Sequence, residues 1–185
     1  MPCGCQKKSG ALASSILKEA ADLLSPSDWG PILWKYLHVL TEHIGTSGNT
    51  IIDTDQANYM ETLLQMLPLI IPCQECQAHT AVYYQTNPVP TLKGLYKDTL
   101  QSTVRQWLFQ FHTAVRLNLQ QPVIVQTVEE CAALYQNTVV PKCEYSLFIQ
   151  GVAAAVRRGW VRIDNWKKWY SNSERMRIIS GNVVV

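Results

Sequence analysis

Pro72-Cys73-Gln74-Glu75-Cys76-Gln77-Ala78-His79 follows a largely apolar run, Leu63 to Ile71. Two cysteines separated by two residues can close a small disulfide, and two thiols can reopen it. Where such a pair opens a helix, the helix N-terminus favours the thiolate form near neutral pH. Pro72 suits the entry to such a helix. Three readings stand open at this point. The pair is a redox disulfide, or part of a zinc site with His79 as third ligand on the same helical face, or two ordinary buried cysteines. Zinc needs a fourth ligand, and the chain holds no second Cys-x-x-Cys and no His-x-x-x-His.

Outward from the cysteines the pattern is helical throughout. On the N-terminal side, Asp55 to Met66 reads as a helix with Tyr59, Leu63 and Leu67 in register, and Pro68 and Pro72 bend the chain into the cysteine helix. Earlier still, Asp28 reads as an N-cap with Pro31 in the first turn. Trp29, Ile32, Leu33, Tyr36, Leu37 and Leu40 then follow at helical spacing, with Trp34 and His38 one turn apart on another face. Such a Trp–His pair can line a flat ligand or simply fill a core. Ala11 to Leu24 forms a shorter predicted helix. On the C-terminal side, Asn87-Pro88-Val89-Pro90 ends the cysteine helix near Gln85. A long helix from about Asp98 to Leu119 carries Val104, Trp107, Leu108, Phe111, Val115 and Leu119, with His112 beside that stripe. Thr127 caps a short helix through Tyr135, and Pro141 starts another over Cys143 to Arg158. No segment alternates with period two, so the expected class is all-α, a helical bundle.

The totals narrow the function. A chain of 185 residues with 47% apolar content supports one domain with an extension, and a net charge of +2 excludes a general nucleic-acid binder. Met1 to Gly10 shows no secretory signal, and the longest apolar run, Leu147 to Val156, is too short to span a bilayer. Six cysteines in a leaderless chain point to thiol or metal chemistry. Cys3-Gly4-Cys5 closes a tight, easily reduced ring if oxidised, which suits a relay, or stands as a pair of exposed tail thiols with no role. Cys131 and Cys143 flank one connection at unequal distances, so they are expected not to bond each other. Arg157 to Arg177 holds seven Lys or Arg against two acids, interleaved with Trp160, Trp166, Trp169 and Tyr170. That composition suits docking to an acidic protein, a nucleic acid or an anionic membrane, or a solvated helix whose tryptophans pack on the bundle.

Three stretches together resemble the FAD-linked sulfhydryl oxidases of the Erv/ALR type. Trp29-Gly30-Pro31-Ile32-Leu33-Trp34-Lys35-Tyr36-Leu37-His38 resembles that family's Trp-Gly-x-x-x-Trp-x-x-Leu-His helix. Pro72 to His79 resembles its Pro-Cys-x-x-Cys-x-x-His. Trp107, His112, Val115 and Leu119 resemble its Trp-x-x-x-x-His-Asn-x-Val-Asn-x-x-Leu. The similarity spans roughly Trp29 to Tyr135, and in style it is similar to the compact members encoded by large cytoplasmic DNA viruses. The two family asparagines are Thr113 and Arg116 here.

The resemblance implies a four-helix bundle with a short fifth helix, holding FAD beside a Cys73–Cys76 disulfide. The implied organisation is a tail and short helix over residues 1–27, the oxidase domain over 28–138 and a basic, aromatic helical extension over 139–185. Gly30, Trp34 and His38 would line the cofactor, with His79, Trp107, His112 and Val115 completing the site. Arg116 would pair with the pyrophosphate, and Asn118 would supply an amide. The implied activity takes electrons from protein dithiols through a Cys3–Cys5 relay and the Cys73–Cys76 pair to FAD and on to molecular oxygen, giving hydrogen peroxide. The implied state is a homodimer in the host cytoplasm or virion, not secreted; the extension falls outside the resemblance, and a virion component or other protein is its expected partner. Two other functions fit parts of the sequence. One is a non-catalytic scaffold on the same fold, the other a zinc-binding interaction module.

Overall fold

The computed structural model describes residues 25–181 and 183–185. The Cys3–Cys5 pair and the Ala11–Leu24 helix fall outside them. The described residues form eight α-helices: α1 (Pro26–His43), α2 (Thr50–Gln65), the single turn α3 (Leu67–Ile70), α4 (Gln74–Thr86), α5 (Lys97–Asn118), the short α6 (Val128–Tyr135), α7 (Lys142–Arg157) and α8 (Ile163–Ile179). Among these residues extended pairing is limited to one isolated parallel bridge between Val140 and Val184. The all-α expectation holds.

Helix starts follow local chemistry. Ser25, not Asp28, is the N-cap of α1. Asp28 sits at the third helical position, and its carboxylate accepts the Ser25 N–H at 2.8 Å. Pro31 therefore lies inside the helix and not in its first turn. Helix α2 starts five residues before the expected Asp55, because the Asn49 side chain accepts the Ile51 N–H at 2.9 Å. Thr127 and Glu130 form a capping box for α6, as Thr127 suggested.

Helix α1 packs on α5 and the short α6, which also meets α5; α2 packs on α5, and α4 joins α5 through Tyr83 and Tyr84 against Phe111 and Trp107, all around one apolar core. A half-buried pair, Arg105 with Glu42, ties α5 to α1, the Arg105 Nε donating to Glu42 Oε1 at 2.9 Å. Helix α7 packs on α1 and α8 along α2, so residues 139–185 share the core. Trp169 is fully buried and its indole donates to the Leu63 carbonyl at 3.2 Å. Tyr36, Tyr145 and Ser173 meet in a buried hydroxyl knot, with 2.6 Å from Tyr36 Oη to Ser173 Oγ and 2.9 Å from Tyr145 Oη to the same oxygen. Burial pushes both phenols up, so they stay neutral hydrogen-bonding groups.

Candidate active site

Cys73 is the N-cap of α4, in extended conformation, and its Sγ accepts the Cys76 N–H at 3.1 Å. The two sulfurs are bonded, with 5.2 Å between the Cα atoms. The pair therefore sits on the positive end of a 13-residue helix. On opening, the sulfur at the cap keeps a backbone N–H partner, which favours its thiolate. The neighbouring backbone is pinned, since Cys73 N–H and the Gln77 side-chain amide both donate to the Ile71 carbonyl, each at 2.8 Å.

Cys76 opens into a cleft of about 510 Å³ between α1, α4 and α5. One wall is Trp29, Gly30, Leu33 and Trp34. The facing wall is Cys76, His79, Thr80 and Tyr83, and the floor runs along Phe111, Val115 and Asn118. A Cβ placed on Gly30 would meet nothing within 4 Å, so the wall is open there. The Trp29 indole N–H is buried without a hydrogen-bond partner. A volume of this size, mostly apolar with a few polar groups at its edge, suits an organic cofactor with a flat ring system.

Behind Trp34 lies a histidine pair. His112 stacks on the indole, with centroids 4.1 Å apart and planes 5° from parallel. His38 Nε2 lies 3.1 Å from His112 Nδ1, its Nδ1 lies 3.7 Å from Cys131 Sγ, and its ring stacks on Tyr135 at 4.7 Å. Burial, reinforced by the charge of the other ring, holds His38 down to about 3. Burial and the nearby Arg116 guanidinium hold His112 down to about 4. Both rings are neutral at physiological pH, so one donates and the other accepts. Burial and Glu42 push the Cys131 thiol up to about 11, which keeps it a thiol.

The Erv1 / Alr family model matches residues 31–136, more than half of the chain. The chain belongs to the Erv1 / Alr family. It is also 28% identical over 102 residues to the protein of Invertebrate iridescent virus 3 named "Putative FAD-linked sulfhydryl oxidase 096R". That match covers 54% of this chain and 61% of the relative, so the chain spans less than two thirds of the relative's length. No solved structure matches.

Within this family domain, the sequence-selected residues divide into three groups. Gly30, Trp34, Cys76, His79, Val115 and Asn118 line the cleft. His38, His112 and Trp107 lie behind it. Trp107 is buried, packs on Phe111 at 5.4 Å and donates its indole N–H to the Pro88 carbonyl at 3.0 Å, anchoring the loop after α4. Arg116 points away, its Nε and Nη2 donating to the Pro122 carbonyl at 3.0 and 2.7 Å. Cys131 and Cys143 are free, as their offset implied. Among the described residues no group of three or more His, Cys, Asp or Glu is arranged for a metal ion. Sequence reading missed Trp29, which periodicity placed in the core although its indole N–H lacks a partner. It also missed Tyr83 and Phe111 as walls of the cleft; their ring contact, at 5.0 Å, is a tertiary one.

Proposed function

We propose that the protein is a flavin-linked thiol oxidase that makes disulfides in protein dithiols, with molecular oxygen as the final acceptor. The observation that carries this reading is the Cys73–Cys76 disulfide on a helix N-terminus with Cys76 in the wall of an aromatic cleft. The residues present fit FAD. The cleft is apolar, Gly30 leaves it open, and the unpartnered Trp29 N–H offers a donor to a ring carbonyl or nitrogen. When bound there, FAD supplies a two-electron acceptor that is reoxidised by oxygen to give hydrogen peroxide.

The chain's own residues do the rest. A thiolate attacks Cys73 Sγ, and Cys76 leaves as thiolate on the cleft side. Trp34 and Phe111 present ring faces and edges to a flat ligand, and the His38–His112 pair fixes the plane of Trp34 from behind. Val115, His79 and Asn118 bound the cleft. Arg116 would meet a pyrophosphate only by leaving the Pro122 carbonyl. Cys3 and Cys5 would relay electrons from protein substrates. A place in the host cytoplasm or virion accords with the viral relative; a homodimer and an acidic or virion partner for residues 139–185 belong to the same proposal.

Oxygen uptake with dithiothreitol tests it. Replacing Cys76 by Ser removes turnover; a Cys76→Ser protein oxidising dithiothreitol at the wild-type rate refutes the assignment. Deleting residues 1–10 spares dithiothreitol oxidation and slows that of a protein dithiol. Equal rates on both substrates remove the relay.

A further inference from the structure

The turn joining α7 to α8 lies outside the segment matched by the family, yet it is bound to the cysteine helix. The Trp160 carbonyl accepts the Gln77 Nε2–H at 3.2 Å. The same nitrogen donates to the Ile71 carbonyl, which also takes the Cys73 N–H. Three short hydrogen bonds thus separate the turn from the backbone of the first cysteine. The turn is also fixed from its own side. Gly159 adopts φ +74°, Trp160 N–H donates to Ala155 O at 2.9 Å and Gly159 N–H to Val156 O at 3.0 Å, a Schellman ending of α7. Val161 is buried in the core. Arg158, Trp160 and Arg162 point outward and are exposed, with the Arg158 guanidinium 5.2 Å from the Trp160 ring centre. Exposed Lys167 and Lys168 continue the basic character on α8, against the acids Asp164 and, on α4, Glu75.

We propose that this turn is a docking surface for an acidic protein segment, so that the dithiols oxidised at Cys73–Cys76 are those flanked by Asp or Glu. The inference rests on the reading of that pair as thiol-oxidising. Guanidinium forks match carboxylates in two-point geometry, and an indole beside them offers an apolar contact. Because the turn is already ordered, docking costs little loop entropy. A nucleic acid or a lipid headgroup has no thiol to present to Cys73, and the exposed acids Glu75 and Asp164, in the first turns of α4 and α8, repel a polyanion.

The chemistry balances on the protein's own disulfide. An acid-flanked dithiol docked at the turn reaches the pair without the Cys3–Cys5 relay: one of its thiolates bonds to Cys73 Sγ and breaks the Cys73–Cys76 bond, leaving Cys76 as thiolate. The second substrate thiolate then attacks the substrate sulfur of that mixed disulfide and expels Cys73 as thiolate. The substrate loses two electrons and gains a disulfide. The cysteine pair gains the two electrons, and both substrate thiol protons pass to solvent.

Oxygen uptake by the full-length protein is measured on dithiothreitol, on a dithiol peptide with glutamates on both sides of its cysteines, and on the same peptide with glutamines. The expected result is a kcat/KM about tenfold higher for the glutamate peptide at low salt, carried by KM, and nearly lost at about 0.5 M salt. In an R158E/R162E protein the ratio between the two peptides falls to about one or inverts, as expected when like charges face each other. Anisotropy of a labelled glutamate peptide with serines for cysteines reads the same docking without turnover. No preference in the wild type, or equal loss on both peptides in the variant, overturns the proposal. So does displacement of the labelled peptide by an RNA oligomer or phosphatidylserine vesicles more readily than by unlabelled peptide. Turnover of dithiothreitol without charge preference defeats docking alone, whereas an inert wild type on all three substrates defeats the oxidase reading with it.

Discussion

The buried His38–His112 pair makes the fold sensitive to acid. Both rings titrate far below 6.5 in the folded chain, at about 3 and about 4, because burial and neighbouring positive charge oppose protonation. The unfolded chain takes up both protons near pH 6.5, and the folded chain does not. The stability contributed by keeping the rings neutral is therefore complete above pH 6.5 and is lost as the pH falls toward the folded values. By linkage the loss between pH 8 and pH 5 is about 2 kcal/mol for each histidine and about 4 kcal/mol for the pair. That is a large share of a typical domain stability of about 5–15 kcal/mol. Urea unfolding followed by tryptophan fluorescence at pH 8, 7, 6 and 5 measures it. The window stops above the range where most carboxylates protonate. His112→Phe keeps a ring on Trp34 and removes one titrating group, so its pH-dependent loss falls to about half. His43 and His79 are common to both proteins and cancel in the comparison. A wild-type stability flat from pH 8 to pH 5, or an unchanged slope in His112→Phe, refutes the neutral-pair reading.

Three further outcomes are expected. Trp169→Ala removes a fully buried indole and its bond to Leu63 O, and costs about 3–5 kcal/mol by chemical denaturation. Gly45 and Gly48 share φ +70°, but a Cβ on Gly45 would lie 2.4 Å from the Lys97 carbonyl oxygen, whereas one on Gly48 would meet nothing within 4 Å. Gly48→Ala should cost about 1 kcal/mol from backbone strain alone, and Gly45→Ala about 2–4 kcal/mol from strain and clash together. Equal melting temperatures for the two alanine proteins would contradict the packing of the α1–α2 turn against Lys97. Tyr36→Phe leaves Ser173 with Tyr145 as its one phenolic partner and should cost about 1 kcal/mol, read by the same unfolding assay.

The helices were legible because their apolar stripes are long and regular; α1 buries the residues whose spacing announced them, and α5 buries Val104 to Phe111 of its stripe, while Val115 is half-buried and Leu119 lies exposed past the helix end. Their ends were harder to read. In a capping box either partner resembles a cap, so Asp28 reads as the cap where Ser25 serves. The helix-start position of Cys73 was legible because it is set locally, by Pro72 and the spacing of the cysteines. The cleft was not legible where partners lie far apart in the chain. His38 and His112 were each singled out, but their mutual contact spans 74 residues and turns both away from the cleft wall. Arg116 suits a pyrophosphate in the sequence, yet the chain reverses after α5 and delivers Pro122 O to it. The bond from Gln77 to Trp160 joins segments 83 residues apart, and no local pattern signals it.

The most direct test of a disulfide wired to a flavin is the visible spectrum of the purified full-length protein, before and after an anaerobic dithiol. The expected protein is yellow, bleaches with dithiothreitol and recovers in air, while Cys76→Ser stays yellow and does not bleach. A colourless wild type, or bleaching of Cys76→Ser at the wild-type rate, contradicts the account.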